Sequence, residues 1–227
     1  MILKFTKKLQ RTSDCFSFIF SPQSPVSWQA GQFMQFTVQH ENPDDRGISR
    51  YFTISSAPFE QDIMITTRYE FEKPSTFKKA LFSLEKNQEI SAFPPRGEFV
   101  LSDFSKSYVF IAGGIGITPF RSILADLDYK KTIGDIEICL LYANRNDEIV
   151  FKDELDVLAG RYRSFKVRYV ISPERCDMNL IKAAVTDYLD RVYFISGPPG
   201  LVKSAENELH DGGIAKTDLN LDYFPGY

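Results

Sequence analysis

Three glycines within four residues form the strongest candidate for chemistry in this sequence. Gly113, Gly114 and Gly116 follow an apolar, β-branched run that is typical of a buried strand, and a helical pattern with Pro119 in its first turn comes next. A strand, a glycine turn and a helix N-terminus suit an anion such as phosphate, because backbone N–H groups and the helix dipole face it. Pro119 replaces the third glycine of the dinucleotide pattern G-x-G-x-x-G. An ordinary tight turn of an α/β domain explains these residues equally well.

The elements that would hold this loop alternate between strand and helix. Strands are predicted at 108–112, 136–142, 166–171 and 192–196, and helices at 119–127, 151–159, 178–188 and 199–209. This alternation predicts a parallel sheet with helices on both faces, which binds ligands at the C-terminal ends of its strands. Asn144–Arg145 and Ser196–Pro199 follow two of these strands. No regular element is expected at 222–227, which is short and interrupted by Pro225.

The first hundred residues have a different pattern, in which short apolar segments alternate with turn residues. Strands are predicted at 16–20, 31–38, 50–54, 63–69, 89–93 and 99–101, and one helix at 75–84, capped by Ser75 or Thr76. Strands at this spacing predict a closed barrel. We therefore predict two domains, an all-β domain at 1–104 and an α/β domain at 105–227.

The composition excludes several classes of function. A net charge of −3 without a basic cluster argues against nucleic acid as a partner. No apolar run has the length of a membrane span. The three cysteines lie far apart and there are only two histidines, so no metal centre is expected. These features predict a cytoplasmic protein.

Four motifs in this order resemble the ferredoxin–NADP(H) reductase superfamily, and the resemblance covers nearly the whole chain. Residues 50–53 (Arg-Tyr-Phe-Thr) resemble its flavin motif, and 113–119 (Gly-Gly-Ile-Gly-Ile-Thr-Pro) its nucleotide loop. Residues 196–199 (Ser-Gly-Pro-Pro) are similar to its C-G-P-P turn, and 222–227 to its aromatic C-terminus. The resemblance implies a Greek-key antiparallel β-barrel that binds FAD, followed by a parallel-sheet domain that binds NADP(H) or NAD(H).

The resemblance also implies roles for individual residues. Arg50 would bind the FAD pyrophosphate with its planar, charged fork, and the helix opening at Pro74, Ser75 and Thr76 would face the same anion. Lys78 either contributes to this site or is a solvated surface lysine. The remaining expected cofactor-binding residues are Tyr51, Phe52, Thr53, Ser56, Thr66, Arg68, Gly113, Gly114, Gly116, Thr118, Pro119, Arg145, Ser196, Gly197 and Pro198.

Three residues are expected where hydride is transferred. Thr53 would hydrogen-bond the N5/O4 edge of the flavin, and Phe224 or Tyr227 would stack on the flavin face that the nicotinamide approaches. The alternative is a tail that only fills the domain interface. Two departures from the family pattern are Phe52, where many members have Tyr, and Ser196, where many have Cys.

The nucleotide and the electron acceptor are less well defined by the sequence. Arg145 follows the second α/β strand, where it would meet the 2′-phosphate of NADPH or pair with Asp147 or Glu148. The resemblance implies an enzyme that passes hydride from NAD(P)H to bound FAD, and electrons to ferredoxin, flavodoxin or a similar protein. The alternatives are a reductase of free flavin, or an electron-transfer subunit of a larger complex.

Overall fold

The computed structural model describes residues 1–224 of the 227-residue chain. The expectations for Pro225–Tyr227, including a catalytic role of Tyr227, lie outside the described residues. None of the helices within residues 1–224 is long and apolar enough to cross a membrane.

The N-terminal half is an antiparallel sheet of six strands in the order β4-β3-β6-β1-β2-β5. Its strands are β1 (Ile2–Gln10), β2 (Cys15–Pro22), β3 (Phe33–Thr37), β4 (Ser49–Thr53), β5 (Ile63–Arg68) and β6 (Glu89–Ala92), and α1 (Thr76–Phe82) lies between the last two. The edge strands β4 and β5 meet where Ser55 N donates to Met64 O at 2.7 Å. This contact closes the sheet around a core that includes Met34, Phe36 and Phe77, and confirms the predicted Greek-key barrel.

The C-terminal half is a parallel sheet of five strands in the order β11-β10-β7-β8-β9. Its strands are β7 (Tyr108–Gly113), β8 (Ile138–Asn144), β9 (Phe165–Ile171), β10 (Val192–Gly197) and β11 (Leu219–Tyr223). The helices are α2 (Thr118–Tyr129), α3 (Lys152–Arg161), α4 (Met178–Ala184) and α5 (Pro199–Asp211).

Strand β7 shows why both faces of this sheet are covered. Its even-numbered residues, such as Phe110, pack in the cluster that contains α2 and α3, for example through Phe120. Its odd-numbered residues, such as Ile111, pack with α4 and α5, for example against Val202. Apolar residues on both sides of a strand are typical of a parallel sheet, and the predicted α/β architecture is confirmed.

Three predictions of secondary structure were wrong. Residues 222 and 223 belong to β11, which pairs with β10 from Tyr193–Leu219 to Gly197–Tyr223. Residues 99–101 form no strand, since Phe99 instead packs its ring against Phe120 and Phe194. Helix α4 ends at Ala184 rather than at residue 188, because Val185 is extended.

The two halves are joined by a polar contact beside the sheet edge. Arg121 of α2 donates to both carboxylate oxygens of Glu60 and, at 3.1 Å, to Ser55 O. Ser122 Oγ donates to Ser56 O at 2.7 Å. These bonds fix the glycine loop at the start of α2 against the end of β4. The boundary between residues 104 and 105 stays a prediction.

Candidate functional site

A cavity of about 250 Å³ lies between the barrel and the glycine loop. The barrel contributes the ends of β4 and β5 and one residue of α1, and the α/β half contributes the loop after β7 and the turn after β10. The lining residues are Tyr51, Phe52, Thr53, Thr66, Thr67, Arg68, Glu70, Lys78, Gly113, Gly114, Ile115, Gly116, Pro198, Pro199 and Phe224. Ten of these residues were predicted from the sequence to bind cofactors or to act in catalysis, and the fold brings them together from motifs that lie far apart in the chain.

Two glycines of the loop serve different purposes. Gly114 has φ of +52°, and a Cβ there would approach only the Arg68 Nη2 atom, at 3.9 Å. Gly114 therefore provides a left-handed turn and an open side toward the cavity. A Cβ on Gly116 would lie 2.2 Å from Ser196 O, so this glycine lets the loop pack on β10. Thr118 and Pro119 are buried, and Thr118 Oγ1 donates to Ile115 O at 3.0 Å.

The barrel face of the cavity consists of the end of β4. Thr53 is 6% exposed, and Phe52 packs its ring on Phe36 and Phe77. The neighbouring hydroxyls are engaged inside the barrel: Thr66 Oγ1 bonds Ser17 and Ser55, and Ser56 Oγ accepts from Met64 N at 2.9 Å. Thr53 is thus the residue of this group whose side chain is available at the cavity.

Arg50 lies in the barrel wall beside α1, where its guanidinium is surrounded by acceptors. Nη1 donates to the carbonyls of Arg46, Gly47 and Ser49, and Nη2 donates to Asp44 Oδ1 at 2.8 Å. Burial favours the protonated acid, yet the bonds from Arg46 N and Arg50 lower the pKa of Asp44 overall. The Arg50 charge is therefore balanced by a carboxylate of the protein.

The same carboxylate reaches the start of α1. Thr76 N donates to Asp44 Oδ2 at 3.4 Å, and Asp44 N donates to Thr76 Oγ1 at 2.9 Å. Ser75 caps the helix by accepting from Lys78 N at 3.2 Å, and Pro74 before it is half-buried. The predicted cap is present. The side chains expected to face pyrophosphate here contact Asp44 or the helix backbone.

A second cavity, of about 440 Å³, shares Tyr51, Phe52, Thr53 and Phe224 with the first. Phe224 is held there by its N–H, which donates to Gly197 O at 2.9 Å. Asp222 lines the second cavity, and Ser196 Oγ donates to Asp222 Oδ2 at 3.2 Å. Burial raises the pKa of Asp222 to about 6, against a smaller lowering by the Ser196 bond. No sequence pattern pointed to this carboxylate as part of a site, because its place beside Ser196 depends on the pairing of β11 with β10.

Lys78 and Arg68 bring positive charge to the first cavity. Lys78 is only 6% exposed, so it is not the solvated surface lysine that was one of its two interpretations. Burial lowers the pKa of Lys78, and the field of Glu70 partly restores it. Arg68 Nε lies 2.8 Å from Asp14 Oδ2.

A third cavity, of about 260 Å³, lies at the C-terminal ends of β8 and β9, where Asn144, Arg175 and Ser204 line it. Arg145 is exposed and is not among the residues that line this cavity. Within residues 1–224 it makes no ion pair, and Glu148 instead bonds Ser13 of the barrel. The local pairing of Arg145 with Asp147 or Glu148 is therefore not present.

Comparison with known proteins agrees with this arrangement. Residues 110–207 match the family described as "Oxidoreductase NAD-binding domain". The nitric oxide dioxygenase FAD/NAD-binding domain of Vibrio cholerae superposes with a TM-score of 0.84 at 20% identity, covering 98% of each chain. Ferredoxin–NADP⁺ reductase of Plasmodium falciparum superposes with a TM-score of 0.80 at 17% identity, covering 98% of this chain and 95% of that one. These two superpositions show that the chain shares their two-domain fold.

Two of the sequence relatives are named as reductase components of monooxygenases. The ferredoxin reductase component of 3-ketosteroid-9-alpha-monooxygenase from Mycobacterium tuberculosis is 24% identical over 98% of this chain and 64% of its own length. The glycine betaine monooxygenase reductase subunit of Chromohalobacter salexigens is also 24% identical, over 98% of this chain and 63% of its own length. The chain thus spans just under two thirds of these relatives.

Proposed function

We propose that the chain is an oxidoreductase that takes hydride from NAD(P)H onto bound FAD and delivers electrons to a separate acceptor protein. The observation that carries the proposal is the first cavity, in which Thr53 and Phe224 face the glycine loop that begins with Gly113 and Gly114. A flavin held by β4 and a nucleotide held by the loop would thus meet in one space. Holding reactants in contact supplies much of the catalysis in such a transfer.

The residues of the cavity fit a flavin nucleotide. Phe52 and Phe224 offer apolar ring surfaces, Thr53 offers a hydroxyl, and Lys78 is a cation within a largely buried wall. FAD, when bound, supplies the chemistry, because it accepts a hydride and releases electrons singly or in pairs. The protein's contribution is to orient the two cofactors: Thr53 would hydrogen-bond the polar edge of the flavin, and Phe224 would shield its face until the nicotinamide arrives.

The adenosine end of the nucleotide is assigned to the ends of β8 and β9. Arg175 lines the third cavity and Arg145 stands at the exit of β8, so either guanidinium would bind the 2′-phosphate of NADPH. Ligands of open parallel sheets bind at these strand ends, which supports the assignment.

The acceptor is proposed to be a separate electron-carrier protein such as ferredoxin or flavodoxin. The relatives named as reductase components of monooxygenases support this proposal. An electron-transfer subunit of a larger assembly would use the same site.

The test is turnover of the purified chain loaded with FAD. We expect a yellow protein whose flavin is bleached by NADPH or NADH and which reduces ferricyanide. The ratio of kcat/KM for the two nucleotides identifies the physiological one. Failure to bind flavin or to be reduced by either nucleotide would refute the proposal.

A second candidate, reduction of freely exchanging flavin, is favoured by one contact. Asp44 already forms an ion pair with Arg50 and accepts a hydrogen bond from Thr76 N, and these are groups expected to bind pyrophosphate. The pyrophosphate of FAD must compete with the Asp44 carboxylate for these groups, and this competition lowers the affinity for FAD. Asp44→Asn is then expected to slow FAD dissociation, whereas Asp45→Asn, an exposed neighbour, is the control.

A further inference from the structure

We propose that Lys78 binds the phosphate of the flavin nucleotide and makes the site selective for FMN and FAD over riboflavin. The inference rests on the proposed function, and it names a residue that the flavin motif at Arg50 does not include. It assigns the phosphate contact to α1 through a side-chain charge.

The first step of the argument is the burial of Lys78. Its side chain is 6% exposed and yet lines the first cavity. Lysines are almost never fully buried unless they are paired, because an ammonium group loses its hydration. Among residues 1–224, Lys78 Nζ is not one of the buried polar atoms that lack a partner, so its stem is buried while its ammonium opens into the cavity, where an anion can reach it.

The second step is that no protein partner of Nζ is found among residues 1–224. Lys78 Nζ makes no hydrogen bond or ion pair there, although its backbone N donates to Ser75 Oγ. Glu70 raises the pKa of Lys78 through its field but forms no ion pair with it. Glu70 also lines the first cavity, so its field offsets part of the Lys78 charge, while the donors of the ammonium remain available to a ligand.

The other cations near the flavin site differ from Lys78 in this respect. Arg50 pairs with Asp44, and Arg68 pairs with Asp14, each at 2.8 Å. Both guanidinium groups would have to exchange a protein carboxylate for a ligand. Lys78 would lose nothing by binding an anion, so it is the stronger candidate.

The chemistry of the cavity selects phosphate as the anion. The lysine ammonium is a compact point charge with three donors, which suits a phosphate oxygen. The aromatic surfaces of Phe52 and Phe224 line the same cavity and suit the isoalloxazine of the same molecule. A flavin nucleotide has both groups, whereas riboflavin lacks the phosphate.

The test measures dissociation constants of riboflavin, FMN and FAD from the apoprotein by quenching of flavin fluorescence. In Lys78→Met we expect the affinities for FMN and FAD to fall about 10- to 150-fold, the range for a charged hydrogen bond, and that for riboflavin to stay unchanged. Lys79→Met is the matched control, since Lys79 is the next residue of α1 and is exposed. It should leave all three affinities unchanged.

A second variant guards against misfolding. Lys78→Arg keeps the charge and is expected to keep the preference of the parent for FMN over riboflavin. We also expect Lys78→Met to raise the urea midpoint of the apoprotein, because an apolar side chain replaces a largely buried lysine that forms no ion pair within residues 1–224.

Three results would overturn the proposal. These are equal losses for riboflavin and FMN in Lys78→Met, loss of the FMN preference in Lys78→Arg, and lower affinity only for NADP⁺ and NAD⁺, which would place the charge on the nicotinamide nucleotide. If the parent protein binds no flavin at all, the proposed function itself fails.

Discussion

The two walls of the first cavity differ in the groups that they offer to a ligand. The α/β wall uses backbone: Gly114 and Gly116 lack side chains, and the loop carries no charged residue. The barrel wall uses charge, with Arg50, Arg68 and Lys78 on or beside it. A backbone site depends on shape and tolerates almost no added atom, whereas a charged site tolerates substitution but depends on which cations are already balanced.

The comparison predicts that the largest losses follow from added atoms in the α/β wall. Gly116→Ala places a Cβ 2.2 Å from Ser196 O, a backbone atom that cannot move without shifting β10. We expect a loss of about 3 kcal/mol or more in the free energy of unfolding, at the upper end for an overpacked site. Urea denaturation measures it. Gly160→Ala in α3 is the control, because its Cβ meets nothing within 4 Å. Equal stability of the two variants would contradict the packing role of Gly116.

The second-largest effect on stability is expected when Arg50, the cation already paired with Asp44, is removed. Arg50→Ala leaves three carbonyls without their Nη1 donor and Asp44 without its closest cation. We expect a destabilisation of about 2 to 3 kcal/mol, and an FAD affinity that falls about 10- to 150-fold if Arg50 also binds pyrophosphate. Arg46→Ala, which removes the longer 3.4 Å contact with Asp44, is the control. Lower stability with unchanged flavin affinity would limit Arg50 to a structural role.

The α/β half also offers a charged side chain, although not to the first cavity. Asp222, near the end of β11, lines the second cavity. Because burial raises its pKa to about 6, the folded state binds the proton more tightly than the unfolded state. Its contribution to stability is therefore greatest near pH 4 and is lost as the pH rises through 6. We expect Asp222→Asn to remove this pH dependence, worth about 2 kcal/mol after allowance for partial exposure. Unfolding curves between pH 4 and 7 test this, with the exposed Asp211→Asn as the control.

Gly114→Ala sharpens the distinction between the two glycines. The φ of +52° costs a non-glycine residue about 1 to 2 kcal/mol, but no backbone atom blocks the new methyl group. We expect a folded protein that keeps its flavin and has a higher KM for both nucleotides, because the methyl group enters the space proposed for pyrophosphate. If the variant has the same KM for NADPH and NADH as the parent protein, the loop is only a turn and does not bind the nucleotide.

The two walls were also unequally predictable from sequence. Strand β7 and its glycines follow from an apolar run and a local turn, both of which are short-range signals. Strand β1 was not placed, because the register shift between Phe5 and Lys7 breaks the alternation that marks a strand. Strand β11 was missed because pairing with β10, rather than its own residues, makes it a strand.

The charge balance of the barrel wall could not be predicted at all. Asp44 is 32 residues from Thr76, and only the fold brings its carboxylate to α1. The burial of Lys78 likewise depends on how α1 lies against β5, so its sequence fitted a surface lysine equally well. The motifs predict which residues lie at this cavity, but which of the charges are already paired depends on the three-dimensional fold.

The smallest effect is expected at the edge of the α/β wall, where Arg145 and Arg175 differ in position. Both are exposed, but Arg175 lines the third cavity, together with Asn144 and Ser204, while Arg145 does not. We expect Arg175→Ala to penalise NADPH relative to NADH by up to about fivefold, the range of an exposed charge pair, and Arg145→Ala to do so less. The measurement is kcat/KM for both nucleotides on each variant, repeated at high salt, where the difference should shrink because exposed charges are screened. If Arg145→Ala has the larger effect, the 2′-phosphate lies at the exit of β8. If neither variant changes the ratio, this edge does not discriminate the nucleotides, and the α/β wall relies on its backbone alone.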